Sequence, residues 1–338
     1  MKNKDKEIQR VINICTSFSV LNFSYMITRQ DLLDCHNRIR PHIHRTPVLS
    51  SSAINDMAGA QLYFKCENFQ RMGAFKMRGA TNAILQLTPK ERARGVVTHS
   101  SGNMAQAVSL AARTLDIPAY IVMPENAPSV KKAAVKGYGG QITESVSTIE
   151  ARQEAADQLV STHKATFLHP SNDLDVILGQ GTAAMELLEE QPDLDIVIVP
   201  VGGGGLLAGT ALAVKHFGKE GCETMAGEPR AADDAYWSLK AGKIMKNLKA
   251  DTIADGLRTH LGDINFPIIK DLVSEIVRVE EGEIIAALRL VWERMKIIIE
   301  PSCAVPLAAV LLERERFSGK KVGIVLSGGN VDLGNMPW

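Results

Sequence analysis

The stretch KCENFQRMGAFKMRGA, residues 65–80, is the most informative part of this chain, because it places a lysine after a strand-and-turn segment, between small residues. We take Lys76 as the candidate nucleophile. A lysine amine attacks carbonyl groups only where burial or a neighbouring cation lowers its pKa. Gly73 and Ala74 would let a bulky group approach the backbone, Phe75 would exclude water, and Arg78 would disfavour the ammonium form. The plainer interpretation is a surface lysine at the start of a helix.

The composition is that of an ordinary globular protein. The chain is 45% hydrophobic and 22% charged, as is usual for globular proteins. Its 338 residues are enough for two domains with separate cores. Lysine plus arginine and aspartate plus glutamate both number 38, so the net charge of zero would not attract a nucleic acid. No run approaches the roughly 20 apolar residues of a membrane span. We therefore expect neither nucleic acid nor membrane as a partner.

The cysteines and the first residues bear on cellular location. Five scattered cysteines form no C-x-x-C pair, which favours reduced thiols in the cytoplasm. The eight histidines show no spacing typical of a zinc site. Residues 1–25 faintly resemble a signal peptide, but polar and acidic residues interrupt them and no cleavage site follows. We expect them to be a disordered, dispensable extension.

Short β-branched runs alternate with helix-period segments from about residue 61 onward, which indicates a mostly parallel sheet with crossover helices. The predicted strands are residues 61–65, 95–99, 119–123, 141–143, 166–169, 195–201, 223–227, 276–279 and 322–326. The predicted helices include residues 103–115, 147–163, 182–190, 206–217, 283–296 and 304–314. No long linker separates these elements. We therefore expect a small domain, residues 95–171, inserted in a large domain made of residues 26–94 and 172–338.

Four consecutive glycines, Gly202 to Gly205, follow an apolar strand and precede a helix. Their backbone N–H groups can converge on an anion, and the helix adds the positive end of its dipole. This pattern predicts a phosphate site. Gly203, Gly205 and Ala208 also satisfy a G-x-G-x-x-A pattern, with Glu228 placed to hold a ribose hydroxyl. An oxidoreductase linked to NAD therefore stays open as an alternative.

Two further loops follow predicted strands in the same way. The sequence SSGN, residues 100–103, opens a helix with hydroxyls and a glycine, and suits a carboxylate. The sequence SGGN, residues 327–330, follows the last strand. Because all three loops lie at carboxyl ends of parallel strands, we expect them to face one crevice of a single sheet.

The GAFK turn, the four glycines, SSGN and SGGN together resemble the fold type II pyridoxal-phosphate enzymes, most closely the serine racemase and serine/threonine dehydratase family. The resemblance extends from about residue 46 to residue 332. It implies an α/β fold like that of the tryptophan synthase β chain, with two mostly parallel sheets flanked by helices and the small domain inserted in the large one. It also implies a homodimer.

The resemblance implies roles for individual residues. Lys76 would form the Schiff base with pyridoxal 5'-phosphate, and Phe75 would pack beside it. Asn103 would bind the ring hydroxyl, and Ser327 would face the ring nitrogen. The phosphate would be held by Gly202, Gly203, Gly204, Gly205 and Leu206. The carboxylate of an amino-acid substrate would be bound by Ser100, Ser101, Gly102, Asn103 and Met104, with help from Arg152.

The implied reaction removes water from hydroxy-amino acids of the serine or threonine type and gives a 2-oxo acid and ammonia. A serine at the ring nitrogen stabilises a pyridinium less than a carboxylate would, so prompt loss of the β-hydroxyl is favoured over a long-lived carbanion. Lys76 and Ser101, as opposed acid and base groups, would also racemise serine. The sequence does not rank serine, threonine and 3-hydroxyaspartate as substrates.

Two alternatives and a second ligand site stay open. One alternative is a β-replacement enzyme such as a cysteine synthase. The other is a non-catalytic amino-acid-binding protein, since Met104 stands where the family commonly has histidine. Residues 228–234 resemble the family's divalent-cation loop, which implies Mg²⁺ or Ca²⁺ bound by Glu228, the Ala232 carbonyl and Asp234. A solvated acidic turn is the plainer interpretation. Cys303 stands where the family usually has glycine, which could change the sensitivity to oxidants.

Overall fold

The structure is a computed structural model that describes residues 26–247 and 249–336. The expected extension, residues 1–25, lies outside the described residues. Two separate sheets are present, flanked by helices. The strands are β1 Val48–Leu49, β2 Gln61–Cys66, β3 Val96–His99, β4 Ala119–Pro124, β5 Gln141–Ser145, β6 Thr166–Phe167, β7 Ile196–Pro200, β8 Glu223–Pro229, β9 Val273–Val279 and β10 Lys321–Leu326. All nine predicted strands are present, and β1 is the strand that the sequence pattern missed.

The larger sheet has the strand order β1-β2-β10-β7-β8-β9. Its neighbours pair in parallel except for β1, which runs antiparallel to β2. The smaller sheet has the order β5-β4-β3-β6 and is parallel throughout. The expected fold of two mostly parallel sheets is therefore confirmed. The strands of the smaller sheet all fall within residues 95–171, the segment that we predict to be an inserted domain.

The helices connect the strands as crossovers. They are α1 Arg29–Ile39, α2 Ser52–Ala58, α3 Lys76–Gln86, α4 Pro89–Arg94, α5 Asn103–Thr114, α6 Ser129–Gly137, α7 Ile149–His163, α8 Leu174–Glu190, α9 Gly205–Phe217, α10 Asp234–Ala241, α11 Asn265–Leu272, α12 Glu281–Leu290, α13 Pro301–Leu312 and α14 Arg314–Phe317. Helix α12 continues into a π-helical turn, Val291–Met295. Within the described residues, no helix is both long and apolar enough to cross a membrane.

Helix α8 lies at the centre of the helix packing, between α3 and α9. It begins eight residues before the predicted start at residue 182, and the Asp173 carboxylate accepts hydrogen bonds from the first turn. A Cβ atom on Gly179 would lie 2.5 Å from the Gly79 Cα atom of α3. A Cβ atom on Gly209 of α9 would lie 2.6 Å from the Gly181 nitrogen. These glycines are contact points between helices, and they allow α3 and α9 each to pack closely against α8.

Candidate functional site

A cavity of about 330 Å³ opens where carboxyl ends of strands from both sheets meet. The loops after β7 and β10 of the larger sheet and the loop after β3 of the smaller sheet contribute to its wall. The expectation that the three loops face one cavity is correct, but the expectation of a single sheet is wrong. The two sheets face each other across the cavity, so each contributes separate groups. Predicted site residues that line it are Phe75, Lys76, Ser100, Ser101, Gly102, Asn103, Met104, Arg152, Gly202, Gly203, Gly204, Gly205, Leu206 and Ser327.

Lys76 is the first residue of α3 and lies on the cavity wall. Its Nζ atom donates a hydrogen bond to the Pro170 carbonyl oxygen, at 2.7 Å, and lies 5.0 Å from the centre of the Phe75 ring. Burial lowers the pKa of the Lys76 amine to about 8. The lysine does start a helix, as the plainer interpretation held, but it faces the cavity rather than bulk water. An amine with this pKa is partly neutral near pH 7 and can act as a nucleophile or a base.

Arg78 does not lower the pKa of Lys76, so this part of the sequence interpretation is wrong. The Arg78 guanidinium is fully buried and forms ion pairs with Glu67, at 2.7 Å, and Glu186, at 2.8 Å. Lys65 pairs with the same Glu186 carboxylate, also at 2.8 Å. Because two carboxylates neutralise Arg78, its charge is compensated within the core. Burial alone accounts for the lowered pKa of Lys76.

The four glycines, Gly202 to Gly205, form the glycine loop, which packs so tightly that side chains are excluded at each position. A Cβ atom would lie 2.6 Å from the Leu257 Cα atom at Gly202, 2.4 Å from the Ser171 Oγ atom at Gly203, and 2.9 Å from the Ser171 Cα atom at Gly205. Gly204 has a φ angle of 82°, which other residues rarely adopt. The loop therefore presents bare backbone to the cavity at the start of α9, a geometry that suits a phosphate group.

The SSGN loop holds the first turn of α5 against the larger sheet. The Asn103 Nδ2 atom donates to the Glu300 Oε1 atom, at 2.7 Å, and the Asn103 Oδ1 atom accepts from Asn330, at 2.8 Å. Ser100 and Ser101 line the cavity at the same turn. The free N–H groups of the first turn of α5, together with these hydroxyls, suit a carboxylate.

Glu300 is a cavity residue to which the sequence analysis assigned no role. Its side chain is 4% exposed, and burial raises its pKa to about 7, with the negative charge of Asp255 acting in the same direction. Lys131 opposes the shift and forms an ion pair with Asp255 at the rim of the cavity. A carboxyl group with this pKa can hold or release a proton near neutral pH. Residues 299–302, Ile-Glu-Pro-Ser, are part of the family resemblance, but they give Glu300 no role, because its partner Asn103 comes from a distant segment.

Two histidines on the wall were also missed. His169 accepts backbone N–H hydrogen bonds on its Nδ1 atom from Ser171, at 3.2 Å, and Asn172, at 2.8 Å. Burial, with the nearby charges of His99 and Lys76 acting in the same direction, lowers the pKa of His169 to about 4. Burial also lowers the pKa of His99. Both rings are therefore neutral at physiological pH, and they add polar edges to the wall without adding charge.

Met104, Arg152 and Ser327 take different places around the cavity. The Met104 side chain is 1% exposed and belongs to the apolar cluster that contains Met72 and Met77, so this residue contributes packing beneath the SSGN loop. Arg152 lines the cavity on α7, and its Nε atom donates to the Thr148 carbonyl oxygen, at 3.2 Å. Ser327 is buried after β10, and its carbonyl accepts from the Phe75 N–H group, at 3.0 Å.

The predicted cation ligands lie outside the cavity wall. Both Glu228 oxygens accept backbone N–H groups of α10, from Ala235 at 2.9 Å and Tyr236 at 2.8 Å. Burial, together with the neighbouring Asp234, raises the pKa of Glu228 well above its usual range. Among residues 26–247 and 249–336, no three His, Cys, Asp or Glu side chains are grouped as a metal site. Because Glu228 does not line the cavity, it is also not placed to hold a ribose there, which argues against the NAD alternative.

Comparison with known proteins agrees with this geometry. Residues 39–328 match the family described as pyridoxal-phosphate dependent enzymes. The chain is 50% identical over 314 residues to the serine racemase of Dictyostelium discoideum, covering 92% of this chain and 97% of that protein. It is 48% identical to the beta-hydroxyaspartate dehydratase of Paracoccus denitrificans, covering 93% and 99%. The structure of threonine deaminase isoform 2 from Solanum lycopersicum, in its processed form, has a TM-score of 0.85 and 33% identity, covering 90% and 85%. The chain therefore belongs to the pyridoxal-phosphate dependent enzymes.

Proposed function

We propose that this enzyme eliminates water from small hydroxy-amino acids, giving a 2-oxo acid and ammonia, and that the same site racemises serine. The observation that carries the proposal is that Lys76, the glycine loop and the SSGN loop share one cavity. The relatives described above are named for serine racemisation, hydroxyaspartate dehydration and threonine deamination. Serine, threonine and 3-hydroxyaspartate are therefore the substrates to compare.

Two parts of the cavity fit pyridoxal phosphate: the glycine loop fits its phosphate, and Lys76 fits its aldehyde. The glycine loop would hold the phosphate, because added Cβ atoms would collide with Ser171 and the backbone is left free to approach an anion. Lys76, with its lowered pKa, would bind the aldehyde. When bound, pyridoxal phosphate supplies a ring that withdraws electrons from the substrate Cα atom.

Lys76 is the base in this proposal. About one tenth of a free amine with a pKa near 8 is neutral at pH 7, so it can accept the Cα proton of the substrate. Ser101 would exchange a proton on the opposite side of Cα, because its loop approaches from the smaller sheet. With both groups active, the site inverts the substrate. With Lys76 acting alone, loss of the β-hydroxyl leads to the 2-oxo acid.

The substrate carboxylate would bind at the start of α5, where free N–H groups and the Ser100 and Ser101 hydroxyls meet the helix dipole. Arg152 adds a positive charge on the same wall. Ser327 would face the ring nitrogen and, as a neutral hydroxyl, would leave the ring a weaker electron sink than a carboxylate partner would. This favours early loss of the leaving group.

The proposal is tested by spectroscopy and by a substrate panel. The purified enzyme should absorb visible light, borohydride should abolish this absorbance, and Lys76→Ala should lack it. The panel measures 2-oxo acid and D-serine from L-serine, L-threonine and 3-hydroxyaspartate, with and without Mg²⁺. Formation of cysteine from serine and sulfide would instead favour the β-replacement alternative. Cofactor binding without any product would make Met104 the residue to change first, to histidine.

A divalent cation at residues 228–234 is a second part of the proposal. The Asp234 Oδ2 atom is buried without a hydrogen-bond partner, and the Asp234 carboxylate lies beside the buried Glu228 carboxylate. A cation bound by Glu228, Asp234 and the Ala232 carbonyl would stabilise the ionised form of both carboxyl groups, and oxygen ligands suit Mg²⁺ or Ca²⁺. Mg²⁺ should raise the melting temperature of the wild type and have no effect on Asp234→Asn. Equal effects on both proteins would contradict the site.

The homodimer, the cytoplasmic location and the domain division at residues 95 and 171 stay predictions from the sequence. Sedimentation of the purified enzyme tests the dimer, and expression with a fluorescent tag tests the location. Limited proteolysis tests the domain division, because cleavage between domains should concentrate near these two boundaries.

A further inference from the structure

Asn265, at the start of α11, lies behind the glycine loop and contacts three separate segments. Its side chain is fully buried and does not line the cavity. The Asn265 Nδ2 atom donates to the Gly203 carbonyl oxygen, at 2.8 Å, and to the Ser171 carbonyl oxygen, at 3.0 Å. The Oδ1 atom accepts from the Gly262 N–H group, at 3.1 Å. Both amide hydrogens and the amide oxygen are therefore used.

This set of partners allows one orientation of the amide. If the amide were turned over, its oxygen would face two carbonyl oxygens and its hydrogens would face the Gly262 N–H group. The Gly203 carbonyl is thus held by a fixed donor on the side of the loop away from the cavity. Gly204 adds a second constraint, because its carbonyl accepts the Ala208 N–H group of α9, at 2.9 Å.

The peptide plane carries this constraint to the cavity. In a trans peptide the carbonyl of one residue and the N–H group of the next point in opposite directions. The Gly203 carbonyl points at Asn265, behind the loop, so the Gly204 N–H group points into the cavity. Asn265 thereby sets the direction of a donor that it does not touch.

We propose that Asn265 is a positioning residue for the cofactor phosphate, which it serves by turning the Gly204 N–H group toward the phosphate oxygens. The proposal rests on the cofactor site proposed above. A charge-assisted hydrogen bond to an anion contributes more than a neutral one, so loss of the fixed direction weakens binding of the phosphate in particular. Binding of the ring and the aldehyde does not depend on Asn265.

The test compares pyridoxal 5'-phosphate with pyridoxal, which lacks the phosphate. Dissociation constants for both are measured by absorbance titration of cofactor-free wild type, Asn265→Ala and Asn172→Ala. Asn172 is the matched control, because its side chain hydrogen-bonds Asp263 and the backbone of residues 264 and 265, whereas its described side-chain hydrogen bonds do not include the glycine loop. We expect Asn265→Ala to reduce the preference for the phosphorylated cofactor about tenfold. Asn172→Ala should keep the wild-type preference.

The outcomes separate this inference from the cofactor site itself. If Asn265→Ala keeps the wild-type preference, or weakens both compounds equally, the positioning role is overturned. If the wild type has no preference for the phosphorylated compound, the phosphate site of the glycine loop is wrong. A second measurement needs no variant: the Gly204 amide proton should shift downfield in NMR spectra when pyridoxal 5'-phosphate binds and stay in place with pyridoxal. An unmoved Gly204 signal would also overturn the inference.

Discussion

At the scale of the residue, Lys76 owes its chemistry to its surroundings, in which burial of the amine is not offset by a negative charge from the described part of the chain. Its Nζ atom has the Pro170 carbonyl as hydrogen-bond partner, and burial lowers its pKa to about 8. Arg78, two residues along α3, is neutralised by Glu67 and Glu186. Within one turn of helix, the pKa of Lys76 is therefore lowered and the pKa of Arg78 is raised. One stays reactive and the other fixes the helix in the core.

The lowered pKa of Lys76 predicts how the cofactor-free enzyme captures pyridoxal phosphate. Only the neutral amine attacks the aldehyde, so the capture rate should rise about tenfold per pH unit below pH 8 and level off above it. Stopped-flow absorbance between pH 6.5 and pH 9.5 measures this rate, with free lysine as the control. A rate that continues to rise to pH 9.5 would mean that the amine has an ordinary pKa.

The raised pKa of Glu300 predicts that the stability of the folded enzyme depends on pH. Its pKa is raised in the folded protein from 4.5 to about 7, so folding favours its protonated form. This contribution is fully present below pH 4.5 and is lost as the pH rises through 7. In the cofactor-free enzyme, Glu300→Gln should therefore gain free energy of unfolding relative to wild type between pH 4.5 and 7, by up to about 3 kcal/mol. Denaturant titrations at several pH values measure the gain.

A surface variant provides the control for Glu300. Glu220 is exposed, so Glu220→Gln should follow the wild-type curve at every pH. If Glu300→Gln does the same, Glu300 does not carry a raised pKa in the folded enzyme.

At the scale of the element, the position of α8 depends on two of its glycines, Gly179 and Gly181. Gly179 contacts α3, and Gly181 contacts α9. Ala in place of Gly179 would put a methyl group 2.5 Å from the Gly79 Cα atom, a contact that only movement of a helix relieves. We expect Gly179→Ala to lower the free energy of unfolding by roughly 1–3 kcal/mol or more. Because α3 carries Lys76, cofactor binding should also weaken.

Gly137 supplies the control for this prediction. It ends α6, and a Cβ atom there would meet nothing within 4 Å. Gly137→Ala should therefore leave stability unchanged or raise it by up to about 1 kcal/mol. Chemical denaturation of both variants gives the comparison. Equal effects of the two substitutions would show that close packing at Gly179 is not what the glycine provides.

The sequence predicted the strands and helices better than it predicted the contacts between residues that are far apart in the chain. Apolar runs such as Ile196–Pro200 have a strand signal of their own, and the nine predicted strands are all present. Helix α8 begins earlier than predicted, because glycines at 179 and 181 suggest a turn when their helix contacts are unknown. Asn265 and Glu300 could not be assigned their contacts for a related reason. Gly203 lies 62 residues from Asn265, and Asn103 lies 197 residues from Glu300. A pattern of neighbouring residues cannot indicate contacts over such distances.

At the scale of the whole molecule, the cavity depends on two sheets that share no strand. Asn103 and Lys131 lie in the segment of the smaller sheet, and they bind Glu300 and Asp255 in the segment of the larger sheet. These contacts cross the cavity. A ligand that touches both walls should therefore stabilise the two segments together, since it gains contacts with both only while these cross-cavity contacts hold.

Hydrogen exchange measures this coupling. When the cofactor-free enzyme takes up pyridoxal phosphate and then an amino-acid substrate, amide exchange should slow at the first turn of α9 and at the first turn of α5. The first belongs to the larger sheet's glycine loop and the second to the smaller sheet's SSGN loop. Helix α14, which does not line the cavity, should exchange at an unchanged rate. Protection confined to α9 would mean that the smaller sheet does not take part in binding, because a carboxylate bound at α5 must bury the N–H groups of that turn.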